Sequence, residues 1–223
     1  MAKETRLNFS QQHKLLDPKA PKPVTLIGAG AVGSVVAFAI AKMGVPKLDV
    51  WDDDDVSEHN VPMSMYRPKD FMSPKLKALR KIVKDFSGLT IGIHPAKRAD
   101  QEPFSGTVIL CVDGMDARRG IWKHVRMNPD VDLLIDTRTA GKLLWVFAVC
   151  PCDPDDVAYY DHHVSYGTRE AAPHMCGNHG FMPMSLKAAG KVTENLTSWW
   201  MSGIKELHHK ELVASPTARQ EEP

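Results

Sequence analysis

The sequence has no apolar run long enough to cross a bilayer, and its first residues lack the apolar core of a secretory signal. It also has no excess of charge of one sign, since 28 Lys and Arg residues face 27 Asp and Glu residues, for a formal net charge of +1. No long-range field therefore favours nucleic acid or an anionic membrane. We expect a cytoplasmic protein that binds neither.

Cysteine is scarce, and four cysteines in 223 residues are too few for a disulfide framework. Such a thiol in a reducing compartment is more often buried, catalytic or metal-binding. The length suits one domain with a real core. We expect an N-terminal arm over 1–23, a single domain over 24–212 and a disordered tail over 213–223.

Short apolar runs alternate with helical patterns along the first part of the chain. The runs predict buried strands of a parallel sheet at 24–27, 48–51, 89–93, 107–112 and 132–136. The helical patterns predict helices over 33–44, 74–86 and 115–125, with lysines outward on the second. This alternation predicts an α/β fold, a Rossmann-like doubly wound, mostly parallel sheet with flanking helices.

The pattern changes after Thr137. A longer strand is predicted over 142–149, followed by a polar crossover loop over 150–182. A long helix is then predicted from Pro183 to the segment HHKEL at 208–212. The apolar residues that recur at helical spacing in this segment are Val192, Leu196, Trp199, Trp200, Ile204 and Leu207.

A glycine-rich turn, GAGAVG, lies between the first predicted strand and the first predicted helix. Gly28 permits the tight turn, Gly30 lets the backbone approach a phosphate, and Gly33 allows close packing of helix on strand. The helix start, which includes Ser34, offers free N–H groups and the positive end of the helix dipole. This context favours a nucleotide site over a purely structural turn.

Four carboxylates follow the second predicted strand in the segment DDDDVSEHN at 52–60. Asp52 lies about twenty residues after the last glycine, where a ribose-binding carboxylate belongs. Asp53 and Asp55 are predicted to be solvated. A nicotinamide-dependent oxidoreductase would have the same turn and carboxylate, so these features alone leave that class open.

Several further segments occur in one order along most of the chain, from about Val24 to about Trp200. Together they resemble the ThiF/MoeB-like adenylating enzymes of the HesA/MoeB/ThiF group, relatives of the ubiquitin-activating enzymes. The segments that carry the resemblance are WDDDDVSEHNVP (a D-x-D-x-V-x-x-x-N pattern), SPKLKAL (a lysine at a helix start), CVDGMDARR (D-x-x-x-x-R), LLIDTRTAG, and Cys176 followed by GNHGFMP.

The resemblance implies an ATP-dependent adenylyltransferase. Such an enzyme activates the C-terminal carboxylate of a ubiquitin-like or sulfur-carrier protein or peptide and releases pyrophosphate. Because the attacking carboxylate and the α-phosphate are both anionic, the site must supply cations, including Mg²⁺. The resemblance therefore implies ATP and Mg²⁺ as the bound groups.

The family pattern assigns roles to four residues of this chain. Asp113 is implied as the magnesium ligand, and Lys75 as the point charge that meets the departing phosphates. Asn60 is implied as a phosphate contact, and Asp54 as a support for the loop or the metal shell. The alternatives are an ordinary strand-end carboxylate, a surface lysine and unremarkable loop residues.

The chain departs from the family pattern shortly after the asparagine, where many members carry Arg-Gln. Met63 or Ser64 stands there instead, and methionine cannot stabilise phosphate charge. Either Arg67 supplies the missing cation, or Arg6 of the partner subunit does, as in dimeric relatives, so a homodimer is expected. The remaining alternative is a catalytically degenerate relative that acts as a binding module.

A second departure concerns metal and thiol chemistry. Several members hold structural zinc with two C-x-x-C pairs, whereas Cys150 and Cys152 form a C-x-C pair that is poorly spaced for tetrahedral zinc. We expect no structural zinc. Cys176 is a candidate thiol for accepting the activated acyl group, with His174 and His179 favouring the thiolate. The alternative is a small buried cysteine without chemistry.

Overall fold

A computed structural model describes residues 7–96, 103–140, 143–165 and 182–212. Its strands are β1 (Val24–Ile27), β2 (Leu48–Trp51), β3 (Gly92–His94), β4 (Gly106–Leu110), β5 (Val131–Ala140), β6 (Leu143–Val149) and β7 (His208–Leu212). Its helices are α1 (Ala31–Lys42), α2 (Lys75–Ser87), α3 (Met115–Val125), α4 (Pro154–Val164) and α5 (Met182–Ser202). Short 3₁₀ helices lie at Glu58–Met63 and Pro68–Asp70. No helix within these ranges combines the length and apolar character needed to cross a bilayer.

The strands form one mixed sheet in the order β3-β2-β1-β4-β5-β6-β7. Neighbouring strands from β3 to β5 are parallel, whereas β6 and β7 run antiparallel to their neighbours. Helices α1, α2 and α5 pack on one face and α3 and α4 on the other, each over its own buried apolar cluster. The predicted doubly wound, mostly parallel fold is therefore confirmed.

Helix α2 shows how the apolar pattern positions a functional side chain. Leu79 and Val83 are fully buried on the predicted inner face. Phe86 follows the same helical spacing, but it is 52% exposed and meets Phe38 edge-on with ring centroids 5.4 Å apart. The expectation that the lysines point outward is wrong at the first turn, because Lys75 is only 7% exposed.

The predicted crossover loop contains helix α4, so that part of the prediction is wrong. The Asp153 carboxylate caps the helix by accepting hydrogen bonds from the Asp155 and Asp156 N–H groups, and Pro154 is the first helical residue. Tyr160 is among the residues that the helix buries. The polar composition of the segment suggested a loop, although an N-cap aspartate followed by proline is a helix start signal. Residues 166–181 lie outside the described ranges.

The predicted end of the last helix is also wrong. Helix α5 stops at Ser202, because Gly203 takes a left-handed conformation with φ of +67°. The chain then turns, and the segment HHKEL forms β7, which pairs antiparallel with β6. His208 of this strand stacks on the Phe147 ring with centroids 4.4 Å apart. The helical spacing of the apolar residues continued past the glycine that ends the helix.

Candidate active site

Three of the sequence-predicted residues follow adjacent strands at one edge of the sheet. Asp52 follows β2, Gly28 follows β1, and Asp113 lies three residues beyond the end of β4. Since β1 lies between β2 and β4 and strands are about 4.8 Å apart, the two outer strand ends are about 10 Å apart. The strand order reverses at this point, which is where an open α/β sheet has its ligand crevice.

The glycine turn is packed at two positions and open at the third. A Cβ on Gly28, which has a φ of +93°, would lie 2.5 Å from the Cys111 carbonyl oxygen. A Cβ on Gly33 would lie 1.9 Å from the Gly28 carbonyl oxygen. A Cβ on Gly30 would have no atom within 4 Å. Helix α1 has no side-chain cap and no acid in its first turn, so its N-terminal amides are available to a phosphate beside Gly30.

Asp52 ties the strand end to the glycine turn. Its Oδ2 accepts a hydrogen bond of 2.7 Å from the Ala29 N–H, and its Oδ1 accepts one of 2.9 Å from the Asp54 N–H. The side chain is 9% exposed. A carboxylate has about four acceptor positions, so Asp52 can still accept a hydrogen bond from a ligand hydroxyl.

Lys75 connects the same carboxylate to the next segment. Its ammonium donates to Asp54 Oδ2 at 2.6 Å and lies 3.6 Å from Asp52 Oδ1. Lys77 and Lys81 of the same helix are exposed, as ordinary surface lysines are. Lys75 is therefore a buried cation that lies near the carboxyl ends of the parallel strands, where the glycine turn also lies.

Tyr66 also holds the turn, although no motif pointed to it. Its hydroxyl donates to the Ala29 carbonyl oxygen at 2.5 Å, and the residue is only 4% exposed. Burial, together with the charges of Asp52, Asp70 and Asp54, raises the pKa of Tyr66 well above its usual value. The hydroxyl therefore remains a donor at neutral pH, and both backbone groups of Ala29 are held by side chains.

Two predicted nucleotide contacts are engaged within the protein. The Asn60 side-chain oxygen accepts from the Ser57 N–H at 3.2 Å and from the Ser57 hydroxyl at 2.7 Å, which caps the first 3₁₀ helix. The buried Ser34 hydroxyl donates to the Ala31 carbonyl and accepts from the Met65 N–H, each at 3.1 Å. Contact of either group with a nucleotide stays a prediction.

The structure does not bring Arg67 to the site. Its guanidinium binds the Asp70 carboxylate through two nitrogens, at 2.8 and 3.0 Å, and lies 3.8 Å from Asp85. Asp85 lies ten residues after Lys75 in α2, so it is about 15 Å farther along the helix. Arg67 was one of the alternatives for the missing cation. Its guanidinium instead pairs with a carboxylate three residues away, and a role at the phosphates stays a prediction.

Asp113 is exposed, and no hydrogen bond or ion pair joins its side chain to another described residue. The neighbouring carbonyl, that of Val112, accepts a hydrogen bond from Arg118. Arg118 also donates to Asp136 Oδ1 at 2.8 Å and to the Thr137 carbonyl at 2.9 Å. The arginine of the D-x-x-x-x-R segment thus fixes the loop that presents Asp113 to the strand edge.

Asp136 is the centre of a buried network that sequence reasoning missed. It is fully buried, and its Oδ2 accepts from Arg138 at 2.7 Å and from the Tyr160 hydroxyl at 2.8 Å. Burial works to raise the pKa of Asp136, but the charges and hydrogen bonds of Arg138 and Arg118 outweigh it and hold the pKa below its usual value. An acidic residue at the end of the apolar run LLI was the available signal.

Other predicted site residues lie outside the described ranges, namely Arg6, Cys176, His174 and His179. Among described residues, no third metal-binding side chain joins Cys150 and Cys152, and the zinc prediction stays untested. Cys111 lies beside the glycine turn, and burial raises the pKa of its thiol to about 12. Mg²⁺ uses one or two carboxylates together with phosphate oxygens and waters, so the single exposed carboxylate of Asp113 fits this ion.

The sheet order, the glycine turn and the open helix N-terminus define a Rossmann-like α/β protein whose strand edge is suited to a phosphate-bearing ligand. The chain belongs to the ThiF family, whose sequence profile matches residues 9–125, just over half of the chain.

Relatives with curated descriptions match part of this chain. Ubiquitin-like modifier-activating enzyme 5 of Caenorhabditis elegans is 26% identical in an alignment of length 117, and the match covers 45% of this chain and 28% of the relative. The Caenorhabditis briggsae protein of the same name is 28% identical, with 45% and 27% coverage. The chain therefore spans little more than a quarter of the length of these relatives.

Solved structures share the fold over most of the chain. Escherichia coli MccB in complex with MccA has a TM-score of 0.69 at 11% identity, covering 98% of this chain and 75% of that one. The MccB complex with AMPCPP and MccA gives 0.64 at 13% identity, with 91% and 67% coverage. PaaA gives 0.60 at 16% identity, with 92% and 76% coverage. At these identities the likeness is one of fold.

Proposed function

We propose that the chain is an ATP-dependent adenylyltransferase that activates the C-terminal carboxylate of a ubiquitin-like or sulfur-carrier protein or peptide and releases pyrophosphate. The observation that carries the proposal is the buried Lys75, joined through Asp52 to an open glycine turn, with Asp113 one strand beyond. Membership of the ThiF family and the name of the Caenorhabditis relatives support the same reaction class.

Each residue has a task in this reaction. The amides of the α1 N-terminus and the space beside Gly30 receive phosphate, and Asp52 accepts a ribose hydroxyl. Lys75 stabilises the negative charge that develops on the departing pyrophosphate. Asp113 holds Mg²⁺, which when bound neutralises phosphate oxygens. A carboxylate oxygen of the carrier forms the new bond to the α-phosphorus, and the electron pair of the broken bond leaves with pyrophosphate.

The partner is inferred from the relatives and from the site together. The names of the Caenorhabditis proteins point to a ubiquitin-like protein, and the MccB structures contain MccA, once together with AMPCPP. A homodimer in which Arg6 of the partner subunit completes the site, and transfer of the acyl group to Cys176, belong to the same proposal. Trp199 and Trp200, both partly buried against the core on α5, lie on the helix that we expect to contribute to the dimer contact.

The replacement Asp113→Ala tests the reaction. We expect a loss of about 100-fold in carrier-dependent exchange of labelled pyrophosphate into ATP, because a magnesium ligand is removed from the phosphates. The melting temperature should not change, since the Asp113 side chain is exposed and forms no hydrogen bond or ion pair with a described residue. Asp130→Ala is the matched control, because this exposed aspartate precedes β5 at the opposite edge of the sheet. Equal exchange rates in the two variants would refute the role of Asp113.

A catalytically degenerate binding module is the second candidate, and the presence of Met63 or Ser64 in place of the family's charged or amide side chain favours it. A thermal-shift comparison separates the classes, since a ligand that binds the native state raises the melting temperature by mass action. A shift with ATP and Mg²⁺ but not with NAD supports the adenylyltransferase over the oxidoreductase. A shift with ATP, combined with no pyrophosphate exchange for any carrier tested, supports the binding module.

A further inference from the structure

The two carboxylates beside Lys75 differ in how they are held. Asp52 is 9% exposed and is anchored by the Ala29 and Asp54 amides. Asp54 is 66% exposed, and its carboxylate makes its contact among the described residues with the Lys75 ammonium, at 2.6 Å. Of the two partners of Lys75, only Asp54 is therefore free to turn into solvent.

We propose that Asp54 is an internal competitor of the phosphates for Lys75. In the ligand-free protein the Asp54 carboxylate forms an ion pair with the buried Lys75 ammonium. A phosphate of the arriving nucleotide displaces that carboxylate. This inference rests on the proposed function, because it requires that a phosphate of the nucleotide binds at Lys75. Asp52 keeps its place during the exchange, since its oxygens bind backbone amides.

The exchange follows from the charges of the three groups. Lys75 is one cation, and a carboxylate and a phosphate oxygen are both acceptors for its N–H donors. In this proposal the phosphate takes the donor that Asp54 holds, so the ion pair breaks on binding and the apparent affinity is lowered by the strength of that pair. The Asp54 side chain is 66% exposed, so solvent competes for its carboxylate and the pair can be displaced.

Asp55 provides a comparison that distinguishes the direct contact between Asp54 and Lys75 from general electrostatic repulsion of an anionic ligand. Asp55 is exposed like Asp54 and lies next to it in the chain, so its neutralisation removes the same charge from the same segment. Its backbone pairs with Pro74, but no ion pair joins its carboxylate to Lys75 among the described residues. A competitor at Lys75 makes the effect of Asp54 larger than that of Asp55, whereas simple repulsion of an anionic ligand makes the two similar.

The test is calorimetric titration of ATP with Mg²⁺ into the full-length chain at physiological ionic strength. Asp54→Asn should bind ATP about fivefold more tightly than wild type, and Asp55→Asn should stay within about twofold. In a Lys75→Met background the difference between the two variants should vanish, because the contested cation is gone. Melting temperatures within a few degrees of wild type would show that the variants are folded.

The outcomes distinguish this inference from the proposed function. Wild-type protein that does not bind ATP overturns both. Wild-type protein that binds ATP, with Asp54→Asn no tighter than Asp55→Asn, overturns the competitor role and leaves the proposed function standing. A gain from Asp54→Asn that persists in the Lys75→Met background also overturns the competitor role, because the gain would then not depend on the ammonium.

Discussion

Replacing Gly33 by alanine is expected to lower the free energy of unfolding by about 3 kcal/mol or more. The added Cβ would lie 1.9 Å from the Gly28 carbonyl oxygen and 2.9 Å from its carbonyl carbon. Both atoms are backbone, so no flexible side chain can move aside and the turn itself must shift against β4. Urea unfolding of Gly33→Ala against wild type measures the loss.

Gly30→Ala is the matched variant, because the same methyl group meets nothing there within 4 Å. The free energy of unfolding should change by less than about 0.5 kcal/mol, as for other substitutions without contacts. Affinity for ATP should nevertheless fall by about tenfold or more, since the methyl occupies space that a phosphate would use beside the α1 amides. Gly30→Ala protein that is stable and binds ATP like wild type would argue against phosphate at this turn.

The part of the site that sequence could predict is the part set by local rules. The strand-turn-helix context located Gly28, and the spacing to the next strand end located Asp52. The common edge of parallel strands then brought Asp113 near them, because carboxyl ends of neighbouring parallel strands share one side of a sheet. These relations need only a parallel sheet, which the alternation of elements predicts.

The features that sequence reasoning missed depend on contacts between distant segments. Tyr66 reaches Ala29 only because the loop after the first 3₁₀ helix folds back on the turn. Tyr160 reaches Asp136 only because α4 exists and packs on β5 and β6. Arg67 was a candidate for the site because it follows Asn60 closely in the chain. In the structure its guanidinium forms an ion pair with Asp70.

The same limit explains the errors in the second half of the fold. Strand β7 has no apolar alternation, and it is a strand because β6 offers it a free edge. Pairing between two strands that are distant in the chain cannot be recognised from the periodicity of a short sequence window. Helix α4, by contrast, had a local signal in its aspartate cap and first-turn proline that the polar composition obscured.

Asp136→Asn is expected to lower the free energy of unfolding by about 3–5 kcal/mol at neutral pH. The neutral amide removes the carboxylate that Arg118 and Arg138, which are only 4% and 5% exposed, both bind. Asp116→Asn is the control, because Asp116 also pairs with an arginine at 2.8 Å, but with side chains 61% and 43% exposed. That surface variant should lose less than about 1 kcal/mol in the same urea experiment.

The sign of the pH dependence provides a second measurement on the same variant. Because the pKa of Asp136 is lowered in the folded protein, its ion pairs stabilise the fold above the ordinary aspartate pKa. That stability is lost as the pH falls from about 4 through the lower folded pKa. Wild type should therefore lose stability more steeply than Asp136→Asn in this acid range. Parallel curves for the two proteins below about pH 4 would mean that Asp136 is not the charged centre of the network.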